Sequence, residues 1–306
     1  VSLTTKVSAR EGELLLFSLT PPKESTAPAE VDRIAEVTLE RLAGLDLDGL
    51  ILYDIDDESE RNPEARPFPY LPTLDPAVFY ADNLAALDLP VVIYRCVGKY
   101  DPADLEGWLA GQDVERVLTV FVGAASRTTE VRTGLAQAHE VRKATRPELL
   151  VGGVAIPERH AGGGDEHLRL IRKQGNGCSF FISQVVYDVA AAKDLLSDYV
   201  YACRDQGSEP VPVVFTLSVC GSYKTLTFLE WLGVQVPRWL RNELAHSDDT
   251  LAVSYEHCVH AAAELAEFAR RLRVPFGFNV ESVSNRKVEI DASVDLVREV
   301  AQLLRR

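Results

Sequence analysis

The 306-residue chain contains no methionine. A sequence of this length ordinarily carries several, and two readings stand: a protein that spares an amino acid it helps to make, or one that avoids sulfoxide damage. Cysteine is also scarce. Cys96, Cys178, Cys203, Cys220 and Cys258 are odd in number and form no CxxC pair. Reduced thiols in a cytosolic protein fit this better than a disulfide framework. No apolar run approaches the length that spans a bilayer, and the first residues lack the basic, apolar, small-residue order of a secretory signal. The expected location is cytoplasmic, with no membrane partner. Basic residues are outnumbered 32 to 46, for a formal charge of −14. This balance argues against nucleic acid, whose phosphates need a basic footprint. A local cationic pocket for an anionic cofactor stays open.

What is present is ordinary for a globular protein, 46% hydrophobic and 25% charged,. Short apolar runs recur at 14–19, 49–53, 90–96, 117–122, 149–156, 179–184, 212–217 and 276–280. Amphipathic stretches of three- and four-residue spacing separate them, at 29–45, 76–87, 102–110, 130–145, 166–174, 189–204, 223–232 and 291–304, with a long one at 250–272,. Eight strands alternating with helices is the count of a (β/α)₈ TIM barrel, and near-continuous apolar strands are those covered on both faces. A doubly wound sheet competes, but its first turn is Gly-rich, whereas Thr20-Pro21-Pro22-Lys23 stands here. With no linker, repeat or low-complexity segment, residues 1–306 read as one domain, with an extra helical excursion at 234–248 before the last strand.

In such barrels the active site lies at the C-terminal strand ends. Those ends carry Ser18, the 53–58 run Tyr-Asp-Ile-Asp-Asp-Glu, Glu158 and His160, Gln184 to Asp188, and Asn279 to Glu281. This is equipment for proton transfer and for binding a heteroaromatic ligand. Within "YDIDDESERNPEARPFPY" most carboxylates are solvated. One placed at a strand end and desolvated by ligand would have a raised pKa and could donate a proton; Glu58 is the first choice and Asp57 the second. "AIPERHAGGGDEH" offers His160, His167 and three glycines, which either approach a phosphate or only make a loop. His257 and His260 share a helix face, but no third ligand is evident, and no metal site is expected. "FFISQVVYD" places Gln184 at the end of a buried strand, where its amide needs partners. A pterin would satisfy it, and so would a backbone group.

Together these segments resemble 5,10-methylenetetrahydrofolate reductases. The strand ending in two prolines (residues 17–22), the Ile-Pro-Glu-x-His turn (156–160) and "FFISQVVYD" are similar to that family's FEFFPP, YPE-x-H and ITQFFFD. "VFTLSVCGSYKTLTFLEWLGVQVPRWL" (214–240) is similar to its segment ending in IPxW. The resemblance implies a (β/α)₈ barrel of one-carbon metabolism. Such a protein reduces methylenetetrahydrofolate to methyltetrahydrofolate with NAD(P)H, usually through FAD, and so serves methionine biosynthesis. It implies folate contacts at Gln184, with Tyr187, Asp188 and Tyr223 beside it. Cofactor contacts would fall at His160, Ile156, Ala124 and Lys173.

The departures are specific. Ser18 replaces the glutamate thought to assist protonation of the pterin, Ala124 an aspartate near the flavin ring, and Ile156 a tyrosine. The flavin site therefore looks eroded. Flavin-independent mycobacterial relatives, which take hydride directly from NADH, are similar in places; they hold a carboxylate at the strand-eight end, where Glu281 falls. A serine cannot act as a carboxylic acid, so the expected proton source is Glu58, Asp57 or Glu281, or a water held by Ser18. The alternatives are a folate-binding barrel without hydride chemistry, or an enzyme acting on another one-carbon folate adduct. A homo-oligomer is compatible with all of these.

Overall fold

The computed structural model describes residues 2–58, 62–124 and 130–305. Eight strands, β1 (Leu14–Leu19), β2 (Gly49–Leu52), β3 (Val91–Cys96), β4 (Val117–Val122), β5 (Val151–Ala155), β6 (Cys178–Val185), β7 (Val213–Ser218) and β8 (Phe276–Glu281), pair in parallel and in chain order. Strand β8 returns to β1, with Leu14 opposite Gly277 and Phe17 opposite Val280, so the sheet closes. The chain is a (β/α)₈ barrel, and every expected strand lies within two residues of an observed one.

The two faces of each strand explain the unbroken apolar runs. Leu14, Leu16, Ile51, Val92, Phe180 and Val214 point inward and form the barrel interior. Their neighbours Leu15, Phe17, Leu50, Leu52, Val91 and Ile93 point outward into a second core beneath the helices. Gly152 on β5 is required by this packing: a Cβ there would lie 2.5 Å from the Phe180 ring.

The helices are α1 (Leu3–Ala9), α2 (Pro28–Leu42), α3 (Pro76–Phe79, continued by a π turn over Tyr80–Leu84), α4 (Pro102–Ala110), α5 (Leu135–Thr145), α6 (Pro157–Gly163), α7 (Glu166–Gly175), α8 (Val189–Asp205), α9 (Tyr223–Trp231), α10 (Arg238–His246), α11 (Thr250–Leu272) and α12 (Lys287–Leu304). Helix α10 is the expected excursion before the last strand. Helix α1 had no counterpart in the periodicity. It stoppers the barrel with Leu3 and Val7, which join the interior cluster, and Lys6 pairs with Asp48 at 2.7 Å. The glycine run at 162–164 ends a helix rather than forming a loop. Pro157 starts α6, and Gly164 at φ +69° ends it in the left-handed conformation that glycine adopts without strain,. Among the described residues no helix is long and apolar enough to cross a membrane.

Candidate functional site

The inward-facing positions turn polar at the C-terminal strand ends. Ser18 is one register step beyond the Phe17–Val280 pair of the β1–β8 seam, and Glu281 is its neighbour. The Ser18 hydroxyl donates to Glu281 Oε2 at 3.4 Å, and the Tyr53 hydroxyl, just past β2, donates to the same oxygen at 2.6 Å. Asn279 Nδ2 donates in turn to Tyr53 Oη at 3.1 Å and to Thr216 Oγ1 at 3.3 Å. The Tyr53 ring is held edge-on by Tyr94, with centroids 4.8 Å apart. The result is a directed relay, amide to phenol to carboxylate, on the floor of the mouth.

Desolvation raises the Glu281 pKa above the ordinary carboxylate range, while the bonds from Tyr53 and Ser18 pull it the other way,. Desolvation, and then the Glu281 charge, push the Tyr53 phenol well up. A carboxyl biased toward its protonated form, with a defined donor on one oxygen, is suited to general acid catalysis.

The next residue, Asp54, faces the opposite side of the strand and builds a separate buried network. Its carboxylate accepts from Cys96 N at 2.8 Å, Lys99 Nζ at 2.6 Å and Tyr100 Oη at 2.8 Å. Arg95, stacked over Trp108 at 4.2 Å, ties Asp75 and Tyr100 into it. This network fixes the start of the β2–α3 loop from below, which steadies the rim that carries Glu58.

A cavity of about 1720 Å³ opens over the relay. That is larger than the ~300–1,000 Å³ of a typical small-molecule pocket. Ser18, Tyr53, Gln184 and Glu281 line it, and it runs outward beside α2 past Ile34 and Thr38. Lys23, Arg66 and Lys224 line it too, without an ion-pair partner among the described residues. In a chain of net charge −14, cations without an ion-pair partner on a cavity wall favour an anionic ligand. Arg66 also lies over the rings of Phe228 and Trp231, at 5.4 and 5.3 Å.

The sequence-derived candidates divide by position. Ser18, Glu281, Glu58, Gln184, Ile156, Ala124 and Lys173 line the cavity. Gln184 sits at the wall, its Nε2 donating to the Leu232 carbonyl at 2.7 Å, which fixes the plane of the amide. Asp57 is exposed beside the mouth. Tyr187 is fully buried under the rim: its hydroxyl donates to the Ser218 carbonyl at 2.9 Å and its ring stacks on His257, so it is a packing residue. Asp188 caps α8 by accepting from Ala191 N at 3.1 Å. Tyr223 is half exposed at the start of α9, and its neighbours Ser222 and Lys224, rather than Tyr223 itself, line the cavity. His160 lies off the cavity, 3.0 Å from Asp198. Lys173 donates to the Val154 carbonyl at 2.5 Å and lies 4.0 Å from Glu166, which occupies its ammonium.

Sequence reasoning noted Tyr53 and Asn279 only as strand-end residues and gave neither a role. The one signal that could have found them is the inward parity they share with Ser18 and Glu281. Glu158 was noted only as a strand-end residue, yet it is buried and its pKa is raised to about 7 by desolvation.

No protein-family model matches the chain, and no curated protein matches it. Among solved structures, it is similar to a protein from Clostridium thermocellum described as uncharacterized and as binding two copies of 5-methyl-5,6,7,8-tetrahydrofolic acid. The two share 42% identity over 98% of this chain and 99% of that one, with a TM-score of 0.86. A dihydropteroate synthase from Xanthomonas albilineans (13% identity, 97% of this chain and 94% of that one, TM-score 0.45) overlays far more loosely. So does a psychrophilic glycoside hydrolase family 10 endo-β-1,4-xylanase (9% identity, 97% and 99%, TM-score 0.48). Identity of 42% across essentially the whole of both chains establishes kinship: this chain belongs to the same family as the folate-binding Clostridium thermocellum protein.

Proposed function

We propose that this protein binds a reduced folate in the barrel mouth and reduces 5,10-methylenetetrahydrofolate to 5-methyltetrahydrofolate, taking hydride directly from NAD(P)H. The observation that carries the reading is the half-buried Glu281 carboxyl, held by Tyr53 and Ser18, at the floor of a large cavity in a chain whose relative binds 5-methyltetrahydrofolate.

The steps follow from the positions. Gln184 meets the donor and acceptor edge of the pterin, and the cations on the cavity wall meet the glutamate carboxylates. Protonated Glu281 gives its proton to N10 of the substrate as the bond from N10 to the bridging methylene carbon breaks, leaving an iminium at N5. Hydride from the nicotinamide then reaches that carbon and completes the methyl group, and the nicotinamide leaves oxidised. Tyr53 stabilises the carboxylate so formed, and the next proton is taken up from solvent. The size of the cavity supports two ligands side by side.

The residues at the flavin positions do not fit a flavin: Ala124 offers no polar side chain, Lys173 is occupied and His160 lies outside the cavity. The proposed reaction therefore does not use FAD. Ser18 supports a second reading, a barrel that binds folate without reducing it, because it stands where the resembling family has an acid.

Mixing the protein with NADH or NADPH and methylenetetrahydrofolate, without flavin, tests the proposal. Oxidation of the dinucleotide with formation of methyltetrahydrofolate is expected. Calorimetric binding of 5-methyltetrahydrofolate with no turnover from either dinucleotide would leave the binding reading in its place.

A further inference from the structure

Three side chains on the outer layer of the barrel have no part in this chemistry. His160 lies in α6, His167 in the first turn of α7 and Asp198 in the middle of α8. One nitrogen or oxygen from each lies within 4.8 Å of both others. His160 Nε2 is already 3.0 Å from Asp198 Oδ2, and the two imidazoles meet edge to face with centroids 5.3 Å apart.

A second observation concerns unmet hydrogen-bonding capacity. The Nδ1 atoms of His160 and His167 are both buried without a hydrogen-bond partner, and His160 is only 6% exposed. Buried polar atoms are nearly always satisfied, and each of these imidazoles keeps a ring nitrogen that no protein group holds.

We infer that His160, His167 and Asp198 form a binding site for a divalent transition-metal ion of the Zn²⁺ class. Two imidazoles and one carboxylate are a borderline donor set that suits Zn²⁺, Co²⁺ or Ni²⁺ and disfavours Mg²⁺ and Ca²⁺, which take oxygen ligands. Ligands about 2.0–2.2 Å from a tetrahedral ion stand about 3.4 Å apart. The existing spacing therefore closes on an ion with a movement of about one ångström, which the half-buried His167 can supply. Three protein ligands leave a fourth position for water on the side of the exposed Asp198. The ion would clamp α6 to α7 and α8. Ile156, the residue before α6, and Arg159 within it line the folate cavity, so the clamp would steady one wall of the mouth from outside.

The test uses the full-length protein, stripped with chelator and titrated with Zn²⁺ by calorimetry. Co²⁺ absorption would report the coordination geometry. His167→Gln and Asp198→Asn are the variants of choice because neither side chain is fully buried; His257→Gln on α11 is the control. One equivalent of Zn²⁺ should bind, with at least tenfold weaker affinity in both variants and unchanged affinity in the control, and it should raise the melting temperature of wild type more than that of either variant. Failure of wild type to bind Zn²⁺, or binding undiminished by both substitutions, would overturn the site. Binding of 5-methyltetrahydrofolate by the stripped protein is a separate readout, so the folate assignment stands or falls independently.

Discussion

The Ser18 hydroxyl donates to Glu281 Oε2 across the β1–β8 seam, 3.4 Å away. In the reductases this chain resembles, an acid occupies the Ser18 position. Here the adjacent strand presents a carboxyl to the serine, and under the proposed function that carboxyl supplies the proton. Parallel pairing puts the two side chains together, because neighbours in register share the same inward face. Under the proposed mechanism, Glu281→Gln should lower kcat by about 10²–10⁴-fold, the usual worth of a general acid, with folate affinity changed far less. Ser18→Ala should cost much less, since its bond is long. Steady-state kinetics beside calorimetry would separate the two, and full turnover by Glu281→Gln would remove Glu281 from the mechanism.

The Tyr53 bond makes a prediction about pH. Glu281 must be protonated to act, so the rate should fall as pH rises through its raised pKa. The bond from Tyr53 lowers that pKa against the larger effect of desolvation. Removing it in Tyr53→Phe should move the pKa further up and carry the descending limb of the kcat profile to higher pH. A limb that stays put, or moves down, would show that another group controls it.

Gln184 is tested by binding alone. Its amide is fixed by Leu232, so it meets a ligand pre-oriented and with little entropy left to lose. Gln184→Ala should weaken 5-methyltetrahydrofolate by about tenfold or more, in line with roughly 1.4 kcal/mol per factor of ten and with what a directed hydrogen bond contributes. Equal affinity in the calorimeter would take Gln184 out of the site.

The barrel itself was legible because each strand carries two apolar faces, and that pattern depends only on local sequence. Gln184 was legible for a related reason: an amide ending an apolar run stands out. The relay was only half legible. Ser18 and Glu281 lie more than 260 residues apart, and only closure of the sheet through β8 makes them neighbours. Tyr187 lies beneath the rim because β6 ends at Val185, after which the chain turns. The place of His160 was not legible either: its partner Asp198 comes from α8, and no spacing rule links the two. Helix α1 was missed because seven residues are too few for a helical period to declare itself.

Gly152 is a test of the fold rather than of the site. Its missing side chain gives the Phe180 ring its place in the interior, and an added Cβ would sit 2.5 Å from ring carbon. Overpacking of this kind costs about 1–3 kcal/mol. Gly152→Ala should lower the urea midpoint accordingly, whereas Gly162→Ala, with nothing within 4 Å of its Cβ, should not.

Glu158 should make the folded state sensitive to pH near neutrality. Its pKa rises from 4.5 to about 7 in the fold, because burial disfavours the charged form more than the backbone N–H groups of Glu158 and Gln235 favour it. The folded state therefore binds the proton more tightly than the unfolded chain. The stabilising contribution is fully present below about pH 4.5 and is lost as pH rises through about 7,. The shift corresponds to a loss on the order of 3 kcal/mol by pH 8. Glu158→Gln keeps an acceptor for both N–H groups and has no charge to bury, so this component of the pH dependence should vanish. Urea unfolding of the two proteins at pH 5, 6.5 and 8 would show it: wild type should weaken across the series relative to the variant. Parallel curves would mean that the Glu158 carboxyl ionises in the fold as readily as in the unfolded chain.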